Sequence, residues 1–326
     1  FVQPAIRMAY EFLPGNRMVF YMQGRHSPRE NFISDGRGAH QSTPLIVLVD
    51  EQTASASEIF AGSMQDNDRA LIVGRRSFGK GLVQESIEFR DGSMLRLTIA
   101  RYYMPSGRCV QKPYTPGDFE EYEMDFINRI KSGELESGDS IKEHGKKYYT
   151  RLGRTVYSEN GITPDVFVPE QTELLTSYVK EASMKGLLVK YAYVYTNENR
   201  KALSELKTWK EVAAWLKQHD VVDKFADYAN KNGLPRRNLL IKKSHRLLQT
   251  YLCGYIIDDL LGRDALTRYL NSDDKCVITA LKLMNEGKAF PAAPKKPRQD
   301  KPKNGKERTA QAGCGVEMQA QPCFFA

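Results

Sequence analysis

The segment TASASEIFAGSMQDNDRALIVGRRSFGKG places three small hydroxyl residues, Thr53, Ser55 and Ser57, within five positions. A hydroxyl becomes a nucleophile only if something takes its proton, and none of the five histidines of the chain lies in this segment. Lys80 is the candidate base. A free lysine titrates near ~10.4, so a basic role at neutral pH requires burial, which can lower it by roughly 3–5 pH units. That desolvation works against folding by on the order of 4–6 kcal/mol, and only a sizeable core tolerates it. Gly79 and Gly81 flank the lysine and give the backbone freedom to bring it inward. Ser–Lys pairs are one of the alternatives to a Ser–His–Asp triad.

Each of these residues also has a structural reading. Ser55-Ala56-Ser57-Glu58 fits the S-x-x-E capping box, in which the serine only satisfies a helix N-terminus. Gly74 to Lys80, GRRSFGK, fits the G-x-x-x-x-G-K core of a phosphate-binding loop. Against a nucleotide site, Gly81 stands where Ser or Thr should hold magnesium, and LVQESIEF continues as a strand where that loop needs a helix. Gln84, four residues beyond Lys80, returns to the same side of the chain, where its amide could orient the lysine. A third reading is a non-catalytic binding or assembly module.

The elements that must position these side chains are legible. PLIVLVD at 44–50 reads as a buried strand, and Ala56, Ile59, Phe60 and Met64 as one face of a helix that stops at Asp66-Asn67-Asp68. RALIVG at 69–74 reads as a second buried strand. Strand, helix and strand make a βαβ unit with parallel strands, so the loops carrying Ser55 and Lys80 leave the same carboxyl edge, where open α/β sheets bind ligands. Ser55 at the helix start would face unpaired N–H groups suited to an oxyanion.

Around this unit, residues 4–13 read as a helix, 19–24 and 161–169 as strands, and LVQESIEF with SMLRLTIARYYM as a hairpin about Asp91-Gly92. Residues 112–152 are polar and charged, which predicts an inserted, surface-lying segment. From about 171 the periodicity is helical, with Trp209, Val212, Ala213 and Leu216 on one face and Leu248, Tyr251, Leu252 and Tyr255 on another. The expected organisation is a core at 1–170, a helical region at 171–290 and a disordered basic tail at 291–326.

The formal charge of +8 does not argue for nucleic acid, because residues 295–308 alone hold a net +5 in a Pro/Lys-rich run. The five cysteines show no paired metal spacing and no disulfide framework. No metal or other cofactor is expected. No apolar run approaches the ~18 residues of a membrane span, and no targeting segment is visible from Phe1 onward.

TASASEIFAG, QDNDRALIVGRRSFGKGLVQ, RYYMPSG and GITPDV together resemble the C-terminal processing (tail-specific) serine peptidases over about residues 1–170. The 25-residue interval from Ser55 to Lys80 agrees with that family's dyad. The resemblance implies a ClpP/crotonase-like α/β core of ββα units and cleavage of proteins near exposed C-terminal tails. It also implies Ser55 as nucleophile, Lys80 as base, Gln84 as third member, the Ala56 N–H in the oxyanion hole and Asp66 as a supporting carboxylate. A bacterial periplasm or cell envelope is the implied location. In this family a Gly-Gly segment that completes the oxyanion hole, and a PDZ domain that captures substrate tails, lie upstream of the part beginning FVQPAIRMAYEFLP. Weak or no proteolysis is therefore expected of these 326 residues alone.

Overall fold

The computed structural model describes residues 2–114, 119–141, 145–170 and 174–293. The expected basic run at 295–308, with the rest of the tail from 294, lies outside the described residues. The chain divides into two compact units. Among the described residues, one comprises those within 2–132, 139–167 and 283–293, the other those within 133–138 and 168–282.

In the first unit, α1 (Val2–Phe12) leads into β1 (Met18–Gln23) and β2 (Glu30–Ile33). The expected βαβ unit follows as β3 (Ile46–Val49), α2 (Ala56–Asp66) and β4 (Leu71–Gly74), and β3 and β4 are parallel, from Ile46 opposite Leu71 to Val49 opposite Gly74. Gly74 is obligatory at the end of that ladder. Its φ is +132°, and a β-carbon there would stand 2.0 Å from the Val49 carbonyl oxygen.

β5 (Leu82–Glu88) and β6 (Met94–Tyr103) form the hairpin, which turns at Gly92 with φ +81°. β6 joins β1, giving an antiparallel sheet in the order β2-β1-β6-β5. After α3 (Phe119–Lys131) and a small ribbon of β7 (Lys147–Tyr149) and β8 (Thr155–Tyr157), the two-residue β9 (Val166–Phe167) adds to β4 in the parallel sheet β3-β4-β9.

The helix α2 is the centre of this unit. Every residue from Glu58 to Asp66 is buried, packed against α1, β1 and β4 in one cluster with Ile6, Phe20, Ile72, Tyr102, Met104 and Ile162. Burying one Ile or Phe side chain is worth about 1.5–3 kcal/mol, so this cluster fixes the helix and the serine at its head. Its far end is fixed by charge. Asp66, with no side-chain exposure, pairs with the equally buried Arg108 at 2.8 Å and accepts the Ser106 N–H at 3.1 Å.

Two expectations need correcting. β3 is not a fully buried strand, because among the described residues it pairs only with β4, and Leu48 on it is 41% exposed. Residues 112–152 do not merely lie on the surface. They include α3 and β7, and their charged side chains Lys112 and Arg129 are buried, satisfied by backbone carbonyls, a carboxylate and aromatic rings.

The second unit is helical: α4 (Ser177–Met184), α5 (Leu187–Glu198), α6 (Arg200–Leu203), α7 (Trp209–Gln218), α8 (Val221–Lys231), α9 (Asn238–Lys243), α10 (His245–Leu261) and α11 (Arg263–Asn271) lie within it. α12 (Lys275–Asn285) begins in it and runs past residue 282. Val212, Leu216, Leu248 and Leu252 are buried as their spacing requires. Tyr255 is 40% exposed, because the buried stripe of α10 continues instead through Cys253, Ile256 and Ile257. Among the described residues, no helix is long and apolar enough to cross a membrane.

Breaking the Asp66–Arg108 pair on one side leaves a buried charge uncompensated, which typically costs about 3–5 kcal/mol. Asp66→Ala is expected to lower the urea midpoint by that equivalent, and the Asp66→Leu/Arg108→Met double variant by less than the two single changes together.

Candidate active site

Ser55 joins β3 to α2 with φ 58° and ψ −119°, a left-handed backbone that an L-residue adopts at a cost of about 1–3 kcal/mol and keeps only where its surroundings hold it. Both of its main-chain polar groups are held. The Ser55 N–H donates to Glu58 Oε2 at 2.9 Å, and the Ser55 carbonyl accepts the Tyr102 hydroxyl at 3.1 Å.

Glu58, fully buried one turn into α2, does more than close a capping box. Its Oε2 also accepts the Lys80 N–H at 2.8 Å, while Oε1 accepts the Ser77 hydroxyl at 2.5 Å and the Gly79 N–H at 2.7 Å. Four donors occupy the four lone-pair sites of one carboxylate. Burial pushes the Glu58 carboxyl above the usual range, and the Ser77 hydroxyl and the three backbone N–H groups pull it part of the way back.

Tyr102 repeats this bridging from β6. Its hydroxyl also contacts the Lys80 carbonyl, so one phenol spans the serine and the lysine. Burial, and after it the Glu58 charge, pushes the Tyr102 phenol well above its ordinary value, which keeps it a donor.

The loop between β4 and β5 is satisfied almost atom by atom. Ser77 N–H donates to the Ile162 carbonyl at 3.0 Å, and Ile162 N–H donates to Ser77 Oγ at 2.6 Å. Phe78 N–H donates to the Thr53 carbonyl at 2.9 Å, which ties the lysine loop to the serine loop directly. The Gly79 carbonyl accepts the Lys112 N–H at 2.9 Å, the Gly81 carbonyl accepts the Tyr102 N–H at 3.0 Å, and the Gly81 N–H donates to Gln111 Oε1 at 2.8 Å. The amides that a phosphate-binding loop would offer are thus spent on Glu58 and Gln111, and β5 follows where that loop needs a helix.

Ser55 and Lys80 are therefore brought to one edge, as the parallel connectivity predicts, and both side chains are half-buried. The burial expected for Lys80 is incomplete, because the residue lies two positions before β5, the outer strand of its sheet. The structure joins these two residues through their backbones; among the described residues no hydrogen bond links Ser55 Oγ to Lys80 Nζ. Gln84 lies on β5 beside a register shift, and its amide donates to Thr98 Oγ1 at 3.5 Å instead of meeting the lysine. Ala56 is the first residue of α2, where a helix leaves its N–H groups without intrahelical partners. Asp66 closes the other end of the helix, about 15 Å from Ala56 by helical rise, and pairs with Arg108 and the Ser106 amide.

The rival hydroxyls are placed differently. Thr53 Oγ1 donates to Asp50 Oδ1 and accepts the Asp50 N–H, both at 3.0 Å, and Ser57 is exposed inside the first helical turn. Tyr102, Ser77, Gln111 and Arg129 escaped the sequence reading. RYYMPSG and GITPDV were the signals for two of these contacts, since Tyr102 lies in the first and Ile162, the partner of Ser77, in the second.

Residues 1–120 match the model of peptidase family S41, and residues 178–262 match a family of unknown function, DUF8443. Over the first of these segments the chain is thus similar to peptidase family S41 and to carboxyl-terminal-processing peptidases. It is 42% identical over 111 residues to a carboxyl-terminal-processing protease of Synechocystis sp., covering 34% of this chain and 26% of that protein. It is 44% identical over 157 residues to the chloroplastic carboxyl-terminal-processing peptidase 3 of Arabidopsis thaliana, covering 44% and 30%. Against a carboxy-terminal-processing protease of Bartonella bacilliformis the identity is 54% over 68 residues, covering 21% and 16%. The chain thus spans less than a third of the length of each. Among solved structures, the photosystem II D1 C-terminal processing protease aligns at 25% identity over 53% of this chain and 32% of that one, with a TM-score of 0.36.

Glu58→Gln would turn an NH2 group toward two N–H or O–H donors and leave them unpaired. A loss of about 1–3 kcal/mol is expected in urea unfolding. An unchanged midpoint would contradict the bridging role.

Proposed function

We propose that this chain carries the catalytic part of a serine endopeptidase that cleaves proteins near unstructured C-terminal tails. The observation that carries the reading is the shared carboxylate of Glu58, which holds the strained serine and the lysine loop on the same two oxygens. A residue kept in a costly conformation by a neighbour that also fixes Lys80 is what a nucleophile and its base require. The family match and the bacterial and chloroplastic relatives support the same chemistry.

In this reading Ser55 Oγ attacks the scissile carbonyl carbon as its proton passes to the unprotonated amine of Lys80. The oxyanion takes the Ala56 N–H at the positive end of α2. Lys80 then gives the proton to the departing amine, the C–N bond breaks, and water, deprotonated by the same lysine, hydrolyses the acyl-serine. Gln84 would swing from Thr98 to orient the amine once substrate is bound. Asp66 supports the site indirectly, by anchoring the turn after the strand that carries Tyr102.

We further read residues 1–170 as a ClpP/crotonase-like core of ββα units and 171–290 as a helical region. A bacterial periplasm or cell envelope is the location we propose; the relatives are bacterial and chloroplastic.

Ser55→Ala is expected to abolish cleavage of an unstructured, apolar-tailed protein by the full-length protein without altering its thermal unfolding. Lys80→Met is expected to slow cleavage by about 10²–10⁴-fold, the usual worth of a positioned base. Undiminished cleavage by either variant, followed by gel or mass spectrometry, rejects the assignment.

A further inference from the structure

The helix α3 begins at Phe119, where the match to the peptidase family model is about to end at residue 120. Nothing in that match accounts for its buried face. Arg129 on α3 is 3% exposed, and its guanidinium donates to the Arg76 carbonyl at 2.5 Å and to the Ser77 carbonyl at 3.2 Å. These are the loop carbonyls just upstream of the Phe78-Gly79-Lys80 turn. Two turns and one turn earlier along the helix, respectively, the Tyr122 carbonyl and Asp125 Oδ2 receive Lys112 Nζ at 3.0 and 3.2 Å. The same ammonium lies 4.2 Å from the centre of the Phe78 ring and 4.0 Å from that of Tyr122. The loop that carries Lys80 is thus gripped from two sides, by Glu58 on α2 and by Arg129 and Lys112 on the other.

We propose that Arg129 is a positioning residue for Lys80: from α3 it clasps the carbonyls of Arg76 and Ser77 and so fixes where the loop presents the lysine to Ser55. This rests on the peptidase reading above. A planar guanidinium satisfies two adjacent carbonyls with one rigid group, which an ammonium cannot reproduce. Without it, two buried carbonyls lose their donor and the loop must shift to reach water. A displacement of about 1 Å between reacting groups costs on the order of 10²-fold in rate. The clasping residue lies beyond residues 1–120, the segment that matches the S41 model.

The test is made on the full-length protein with Arg129→Met, Arg129→Lys and, as an exposed control on the same helix, Lys131→Met. Two quantities are read: hydrogen exchange at the Gly79, Lys80 and Gly81 amides, and the rate and pH profile of Ser55 modification by a fluorophosphonate. Arg129→Met is expected to speed exchange at those three amides at least tenfold while the amides of α2 keep their protection. It should also slow modification of the folded protein about 10²-fold and displace the limb of the pH profile that Lys80 governs. Arg129→Lys should recover part of both effects, and Lys131→Met should match the parent protein.

Unchanged exchange in Arg129→Met overturns the clasp. Faster exchange with an unchanged rate and pH profile overturns the positioning role and leaves Arg129 structural. Should Arg129→Met fail to fold, parent-like exchange and modification in Arg129→Lys overturns the proposal equally. Modification persisting in Ser55→Ala is a different failure. It removes the peptidase reading, while the exchange result still decides whether Arg129 holds the loop.

Discussion

A single buried carboxylate carries the arrangement. Glu58 receives donors from residues 55, 77, 79 and 80, so the head of α2 and the loop after β4 cannot move independently. Desolvating a carboxylate is expensive unless its lone pairs are filled. Here the filling groups are the Ser77 hydroxyl and the backbone amides of residues 55, 79 and 80, so the same bonds that make the burial tolerable set the geometry of the two loops. The strained backbone of Ser55 follows from this constraint, as does the need for glycine at Gly79, whose φ is +87° where the loop turns its amide toward Glu58.

The outer parts of the unit serve that centre. Tyr102 joins the antiparallel sheet to the site, reaching Ser55 and Lys80 with one hydroxyl. The Asp66–Arg108 pair ties the far end of α2 to the turn that follows the same strand. Asp165 accepts the Ile72 N–H at 2.8 Å and also pairs with Arg154, which reaches Asp68 at 2.6 Å. The GITPDV segment thereby closes against both the lysine loop and β4.

Much of this was legible in the residues. The βαβ unit followed from two apolar runs and one helical face, because continuous apolar character and a 3.6-residue period are local signals. The common edge of Ser55 and Lys80 followed from parallel connectivity. Glu58 was visible only as a capping partner, since spacing shows the bond back to residue 55 and not the three that arrive from a loop about twenty residues on. Arg129 was hidden for a related reason. A charged residue in a polar segment reads as solvated, and its burial depends on carbonyls that only the folded loop turns toward it. The openness of β3 was equally illegible, because an apolar strand has the same composition whether it has one neighbour or two.

The hairpin of β5 and β6 has a further implication for handling the molecule. At its tip, nothing lies within 4 Å of the position a side chain on Gly92 would occupy, and the flanking residues from Glu85 to Met94 are exposed. A short affinity tag or a fluorophore spliced in there would sit beyond the last rungs of the ladder. It would report on the protein in solution while leaving the bonds around Glu58 undisturbed.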